Sequence, residues 1–357
     1  MRHTSLYTLL LALVTFATAC SAASQPSPTS APMSLNAAGA TFPAPLYQKW
    51  FDEYARLTQV QVNYQAIGSG GGIKGIQDQT IDFGASDAPM TDDQIAGAKG
   101  GPIFHIPTAL GAIVPTYNIP EVKSKLKFTG ATLAGIFLGD ITKWSDPKLV
   151  ADNPDLAQVN QVIVVVHRSD GSGTTFGFTD YLSAVSPDWQ SRVGKATSVN
   201  WPVGLGGNGN PGVAGEVQQN PYALGYVELI YALQNNLAYG QVKNKAGQWV
   251  SPSLDGVTAA AAASLQTIPP DLRFSIVDAA GDGSYPISTA TWLLVYKNQT
   301  DQPKAVAIAR LMWWATHDGQ KLNKDLQYAV VPDGLTARSE QFIKQITVDG
   351  KPALPGT

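Results

Sequence analysis

Cysteine is nearly missing from this chain of 357 residues. Cys20 is the single one, which excludes an intrachain disulfide and any zinc site built from thiolates. Charge is scarce as well: Asp, Glu, Lys and Arg make up 14% of the residues, against about 25% in an ordinary soluble domain. The 24 basic and 27 acidic residues leave a formal charge of −3, with no run of Lys or Arg. That removes the electrostatic footprint of a nucleic-acid binder, and no nucleic acid is expected as a partner. Histidine is sparse, and His105, His167 and His317 are scattered along the body. Neither H-E-x-x-H nor G-x-S-x-G occurs, so a metallophosphatase would lack clustered ligands and a serine hydrolase its nucleophile turn. The expectation is a chain with no metal, no cofactor and no enzymatic activity. No apolar run of 18 residues follows the N-terminal region, so nothing later is expected to span a membrane.

What is present begins with an export signal. Arg2 and His3 precede an apolar run from Leu6 to Ala19 that is shorter than a spanning helix needs. The run ends Ala17-Thr18-Ala19-Cys20, which resembles a bacterial lipobox, although Ala17 stands where that pattern usually has Leu. The resemblance implies a signal peptide over residues 1–19 and a lipid on Cys20. The alternative is an ordinary signal cut nearby that leaves a free thiol. Loss of Arg2 with the signal would take the formal charge to −4. Residues 20–33 are mostly Ser, Pro and Ala, cannot bury a core, and read as an extended tether. The body would then sit just outside a membrane, touching it only through the anchor.

Hydrophobic residues are 44% of the chain, ample for buried cores, and 34 glycines and 24 prolines imply many tight turns. Strand and helix patterns alternate. Val60, Val62 and Tyr64 alternate with polar residues as a strand does, and Val162–Val166 is a β-branched run of the kind buried on both faces. Trp292–Tyr296 is another such run. Leu46, Tyr47, Trp50, Phe51, Tyr54 and Leu57 recur at helical spacing, and Val306, Leu311, Met312, Trp314 and Ala315 suggest a helix near the C-terminal end. This alternation predicts an α/β fold with mainly parallel sheets, whose ligands bind where strands end and helices begin.

Three such turns could hold an anion. In Gly39–Pro45, Thr41 is placed to cap a helix and Pro43 suits its first turn, which would offer free N–H groups and the positive end of a helix dipole. Gly68–Gly75 follows the Val60–Tyr64 strand and satisfies G-x-G-x-x-G through Gly70, Gly72 and Gly75. Asp82 and Asp87 come too soon for a dinucleotide fingerprint, and Lys74-Gly75 is not a Walker A ending. What remains is a glycine-rich turn offering Ser69 and several N–H groups. In Arg168–Thr175, Arg168 presents a guanidinium fork suited to a tetrahedral oxyanion, with Asp170 placed to hold it and Ser172, Gly173 and Thr174 to start a helix. A fourth segment, Asp82–Pro89, puts the carboxylate of Asp87 among small apolar residues. Such a group repels an anion unless the anion itself donates a hydrogen bond.

Taken together and in this order, GATFPAP (39–45), Gly68–Lys74, DFGASDAP (82–89) and DGSGT (170–174) resemble the phosphate-binding proteins of bacterial ATP-binding-cassette phosphate uptake systems. WPVGLGGNG (201–209) and GYVE (225–228) match too, and the resemblance extends from about Leu35 to Pro352. It implies a two-lobed type II periplasmic-binding-protein fold with two crossover strands at the hinge. Lobe one would be residues 34–115 and 287–357, and lobe two residues 116–286. It implies a monomer that binds inorganic phosphate and delivers it to the permease subunits of an importer. Carried over residue by residue, Thr41, Phe42, Ser69, Arg168, Ser172, Gly173 and Thr174 would donate to phosphate. Asp87 would be the sole acceptor, and Asp170 would orient Arg168. Gly70 stands where many relatives have Ser, and His167 where an Arg is common; neither is a ligand position.

The inventory implies how such a site discriminates. Phosphate keeps a proton at neutral pH and can donate to Asp87, whereas sulfate would meet an ionised Asp87 as a buried repulsive pair, a difference of roughly 10³–10⁵ in affinity. A same-fold receptor for sulfate or molybdate would be expected to lack that acceptor. An exported phosphatase is the more distant alternative.

Overall fold

Strands and helices alternate in the computed structural model much as the sequence patterns predict, over residues 33–354, which are the residues the structure describes. The export signal, Cys20 and the tether up to residue 32 lie outside the described residues. The body opens as β1 (Ser34–Gly39), α1 (Ala44–Thr58), β2 (Gln61–Ala66), α2 (Ser69–Gln77) and β3 (Phe83–Ser86), with β1 between β2 and β3 and parallel to both. A second group consists of β5 (Val164–Arg168), β6 (Leu205–Gly207) and β7 (Ala223–Glu228), again parallel, with β5 in the middle.

Two long strands join the groups. The fifteen residues of β4 (Ile103–Tyr117) are almost all buried; residues up to Ala112 pair with β8 (Ser288–Tyr296), and Ile113–Tyr117 pair with β7. At the changeover Ala112 lies opposite Ser288, and the Ile113 N–H donates to the Ile287 carbonyl at 2.9 Å. Both joining strands run antiparallel to their neighbours. The sheet is therefore parallel at its flanks and antiparallel in its centre, rather than mainly parallel throughout. The physical reason is the second pass of the chain: a strand that returns across a hinge has to run opposite to the one that went out.

Helix α1 forms where its apolar spacing predicts and buries Leu46, Tyr47, Trp50, Phe51 and Tyr54. Leu57 does not join them; it is half exposed in the last turn, beyond the reach of the sheet. The helix expected near the C-terminal end, α5 (Gln302–Thr316), forms and buries Leu311, Met312 and Ala315. The valine run is displaced: its strand starts at Val164, Val162 is exposed and Val164 only half-buried, while Ile163, Val165 and Val166 are buried. The glycine-rich segment is not a loop but the start of α2. A side-chain carbon on Gly72 would lie 2.5 Å from the Ala85 carbonyl oxygen and 2.7 Å from Gly39 Cα. Glycine lets this helix lie directly on β1 and β3, and that contact outweighs its poor helix propensity.

Candidate functional site

Each of the turns singled out in the sequence lies at the end of a strand, and they converge. Gly39 ends β1 and leads to Thr41 and Phe42; β3 ends immediately before Asp87; β5 ends with Arg168; and α3 (Gly173–Val185) begins with the Ser172–Thr174 segment. Thr41, Phe42, Ser69, Asp87, Arg168, Ser172 and Thr174 are all buried.

The two strand groups meet at these residues. The Gly173 N–H donates to Ser69 Oγ at 3.0 Å, the Asp87 N–H donates to the same oxygen at 3.2 Å, and the Gly70 N–H donates to the Gly171 carbonyl at 2.8 Å. A side-chain carbon on Gly173 would lie 2.5 Å from both Asp87 Cβ and Asp87 Oδ2, so only glycine permits this approach. Gly68, at φ 91°, likewise gives room to the carboxylate of Asp170.

Arg168 leaves its buried strand end with the guanidinium fixed. Its Nε donates to Asp170 Oδ1 at 2.7 Å and its Nη2 to Asp170 Oδ2, while Nη1 donates to Thr174 Oγ1 at 3.3 Å. Asp170 is steadied in turn by the Gly209 N–H at 3.0 Å. Burial works to raise the Asp170 carboxyl, but the hydrogen bond and charge of Arg168 outweigh it and hold it below the usual carboxylate range. The pairing expected between the two residues is therefore present, in bidentate form.

Asp87 has the opposite environment. Thr291 Oγ1 donates to its Oδ1 at 2.9 Å and Ser69 Oγ lies at 3.5 Å from Oδ2. Burial pushes its carboxyl up to about 7, against the pull of Thr291, Arg168 and Ser69. An acceptor that exchanges its proton near neutrality, opposite a fixed guanidinium and several N–H donors, can share a proton with a partly protonated oxyanion.

One detail departs from the expectations. Thr41 does not cap α1: Pro43 holds the cap position with no side-chain bond, and Pro45 lies in the first turn. Thr41 Oγ1 instead accepts from the backbone N–H of Asn210 at 3.1 Å and from its Nδ2 at 3.0 Å, because the partner arriving from the other strand group outcompetes the local cap. Ser172 is the cap of α3, its Oγ accepting from the Thr175 N–H at 3.0 Å.

Four residues at the site carried no expectation. Asn210, at the start of α4 (Gly209–Gln219), also donates to Thr174 Oγ1 at 3.0 Å and accepts from the Glu228 N–H at 2.9 Å. Tyr231 donates to the Thr41 carbonyl and Tyr328 to the Phe42 carbonyl, each at 2.6 Å. Thr291 holds Asp87. Asn210 directly follows the matched WPVGLGGNG stretch, the one signal that could have drawn attention to it; Thr291 is a threonine inside a strand and carries none.

A family model described as a PBP superfamily domain matches residues 24–315. The phosphate-binding protein PstS of Haemophilus influenzae is 43% identical over 333 residues, spanning 93% of this chain and 95% of that protein. PstS of Xylella fastidiosa strain Temecula1 is 43% identical over 309 residues, 86% of this chain and 84% of its own length. The archaeal PstS of Methanocaldococcus jannaschii is 38% identical over 322 residues, 84% and 82% of the two chains. Among solved structures, a high affinity periplasmic phosphate-binding protein bound with phosphate at pH 8.5 superposes with a TM-score of 0.67 at 21% identity, covering 85% of this chain and 92% of that one. That level of identity speaks to the fold alone: a two-lobed type II arrangement of the PBP superfamily.

Proposed function

We infer that this chain, which belongs to the PBP superfamily and to its phosphate-binding proteins, binds inorganic phosphate with high affinity and hands it to an ATP-binding-cassette importer. The single observation that carries the reading is the pairing of a buried, Asp170-braced Arg168 with a buried carboxyl at Asp87 that titrates near neutrality. Phosphate is recognised by Thr41, Phe42, Ser69, Asp87, Arg168, Ser172, Gly173 and Thr174. Lobe one (residues 34–115 and 287–357) supplies the first four, and lobe two (residues 116–286) the others. A protein of net negative charge does not draw phosphate by its overall field; local donors fixed in a dry cleft do so, where each charge-assisted bond is strong. Asp87 takes the proton that phosphate carries and sulfate lacks, which disfavours a sulfate or molybdate receptor.

The chain acts as a receptor and not as an enzyme, and docks as a monomer on the permease. It works outside the cytoplasmic membrane, held by a lipid on Cys20. No helix among the described residues is long and apolar enough to cross a membrane. Calorimetric titration of the mature protein with phosphate and with sulfate tests the reading. At pH 9, where Asp87 is ionised, strong phosphate binding with sulfate far weaker is expected, and equal affinities there would refute it. Turnover of a chromogenic phosphoester would overturn the non-enzymatic assignment.

A further inference from the structure

Glu228 is the last residue of β7 and is fully buried, yet no role follows for it from the phosphate contacts. Its Oε2 accepts from the Ile230 N–H at 2.8 Å and lies 3.2 Å from Tyr328 Oη, and its Oε1 has no partner at all. The hydrogens around it can be assigned by elimination. Tyr328 has one hydroxyl proton. Two oxygens 2.6 Å apart need a proton between them, and the Phe42 carbonyl has none, so the tyrosine proton lies on the Phe42 side. Tyr328 then presents only lone pairs to Glu228 Oε2. If Glu228 were ionised, a buried carboxylate would face those lone pairs with its other oxygen bare.

We propose that Glu228 is a neutral carboxylic acid whose Oε2–H donates to Tyr328 Oη, committing the tyrosine's only proton to the Phe42 carbonyl, and that it is thereby a positioning residue for the Thr41–Phe42 turn. The carbonyls on either side of Phe42 are then both pinned by tyrosine hydroxyls, Thr41 by Tyr231 and Phe42 by Tyr328, which sets the orientation of the Phe42 N–H between them. Ala329, next to Tyr328, is bonded to Leu110 of β4 in both directions, so the tyrosine itself is held.

The surroundings agree. Tyr231 follows in the helix after β7, Tyr328 packs from the loop beside β4, the amide of Asn210 holds the Glu228 backbone, and Asp87 is the carboxyl whose charge acts on it; none of these is a cation. Among the described residues no Lys, Arg or His forms an ion pair with Glu228. Burial pushes its carboxyl well above the ordinary range and Asp87 adds to that, outweighing the N–H groups of Ile230 and Leu229 and the Tyr328 hydroxyl, which favour the ionised form. Neutrality also suits the anion. Arg168 is already balanced by Asp170, so an ionised Glu228 would add uncompensated negative charge beside Asp87 in the cleft.

The consequence for the anion rests on the phosphate reading; the protonation state does not. Two measurements on the mature chain separate them. The protein has five glutamates, and in carboxyl-¹³C-glutamate-labelled protein one resonance should keep its protonated position from pH 5 to 8 and vanish in Glu228→Gln. Five carboxylate signals at pH 7 overturn the proposal whether or not phosphate binds. In phosphate titrations, Glu228→Gln should weaken binding about threefold, since an amide stays neutral but cannot both accept from Ile230 and donate to Tyr328. Tyr328→Phe should weaken it about tenfold. If Glu228 were charged, Glu228→Gln would remove a repulsion and strengthen binding instead, and that gain would also overturn the proposal. Wild type that fails to bind phosphate refutes the functional reading and leaves the resonance test standing.

Discussion

The sharpest consequence of the site is that sulfate exclusion is graded by pH. Asp87 is buried, held by Thr291 at 2.9 Å, and its carboxyl is pushed up to about 7 from the ordinary 3.8. An acid near 7 takes up a proton readily below that pH, and a protonated Asp87 can donate to an unprotonated sulfate oxygen. Above pH 7 sulfate binds only if the carboxyl is first protonated, which costs about 1.4 kcal/mol, or tenfold, per pH unit. Monohydrogen phosphate brings its own proton and escapes that penalty. Wild-type sulfate affinity should therefore be level below pH 6, fall tenfold per unit above pH 7, and be about 10² weaker at pH 9, while phosphate affinity stays flat over that upper range. The 10³–10⁵ discrimination expected of a permanently ionised carboxylate is thus approached only as pH rises. Asp87→Asn keeps the shape and removes both the charge and the proton exchange, so its sulfate affinity should lose the pH slope and exceed wild type by about 10² at pH 9. Isothermal titration of both anions on both proteins from pH 6 to 9 reads this directly. A wild-type sulfate affinity independent of pH, or a mutant that still excludes sulfate, would show that discrimination resides in cavity shape and not in Asp87.

The same carboxyl makes a stability prediction. Between pH 4 and 7 the folded chain holds a proton on Asp87 that the unfolded chain has released, so unliganded stability should decline as pH rises through that window, by roughly 4 kcal/mol in all, and level off above it. Asp87→Asn, followed by denaturant melts at each pH, should lack that decline. Arg168→Ala should weaken phosphate by about 10² or more in titration and leave Asp170 unpaired, and Arg168→Lys should recover little because a point charge lacks the two-pronged contact. Gly173→Ala puts a carbon 2.5 Å from Asp87 and should abolish tight phosphate binding by holding the lobes apart, with circular-dichroism melting little changed. Cys20→Ser should release the protein from membranes in cell fractionation without altering phosphate affinity.

Much of the proposed site was legible in the chain because each of its turns is local. A strand end, a small residue and a helix start are consecutive in sequence, so Thr41, Ser69, Asp87, Arg168 and Ser172–Thr174 could be named from their own neighbours. The same holds for α1 and α5, whose apolar spacing depends only on helical geometry. What the chain left open were partners far apart along it. Thr291 meets Asp87 across 204 positions, Tyr328 meets Phe42 across 286, and Asn210 takes Thr41 away from its expected capping role across 169.

Local rules also erred where tertiary contact reversed them. The Gly68–Gly75 segment reads as a turn, but Gly72 lets α2, helical from Ser69, rest directly on β1 and β3, and the packing gained there outweighs the helix cost of glycine. Val162 reads as core by composition and lies exposed because the sheet starts two residues later. Composition, periodicity and turn chemistry thus determined the α/β class and the turns from which the proposed site is built. The tertiary structure alone decided the titration of Asp87 and the proton on Glu228, because a pKa depends on burial and on neighbours that only folding brings together.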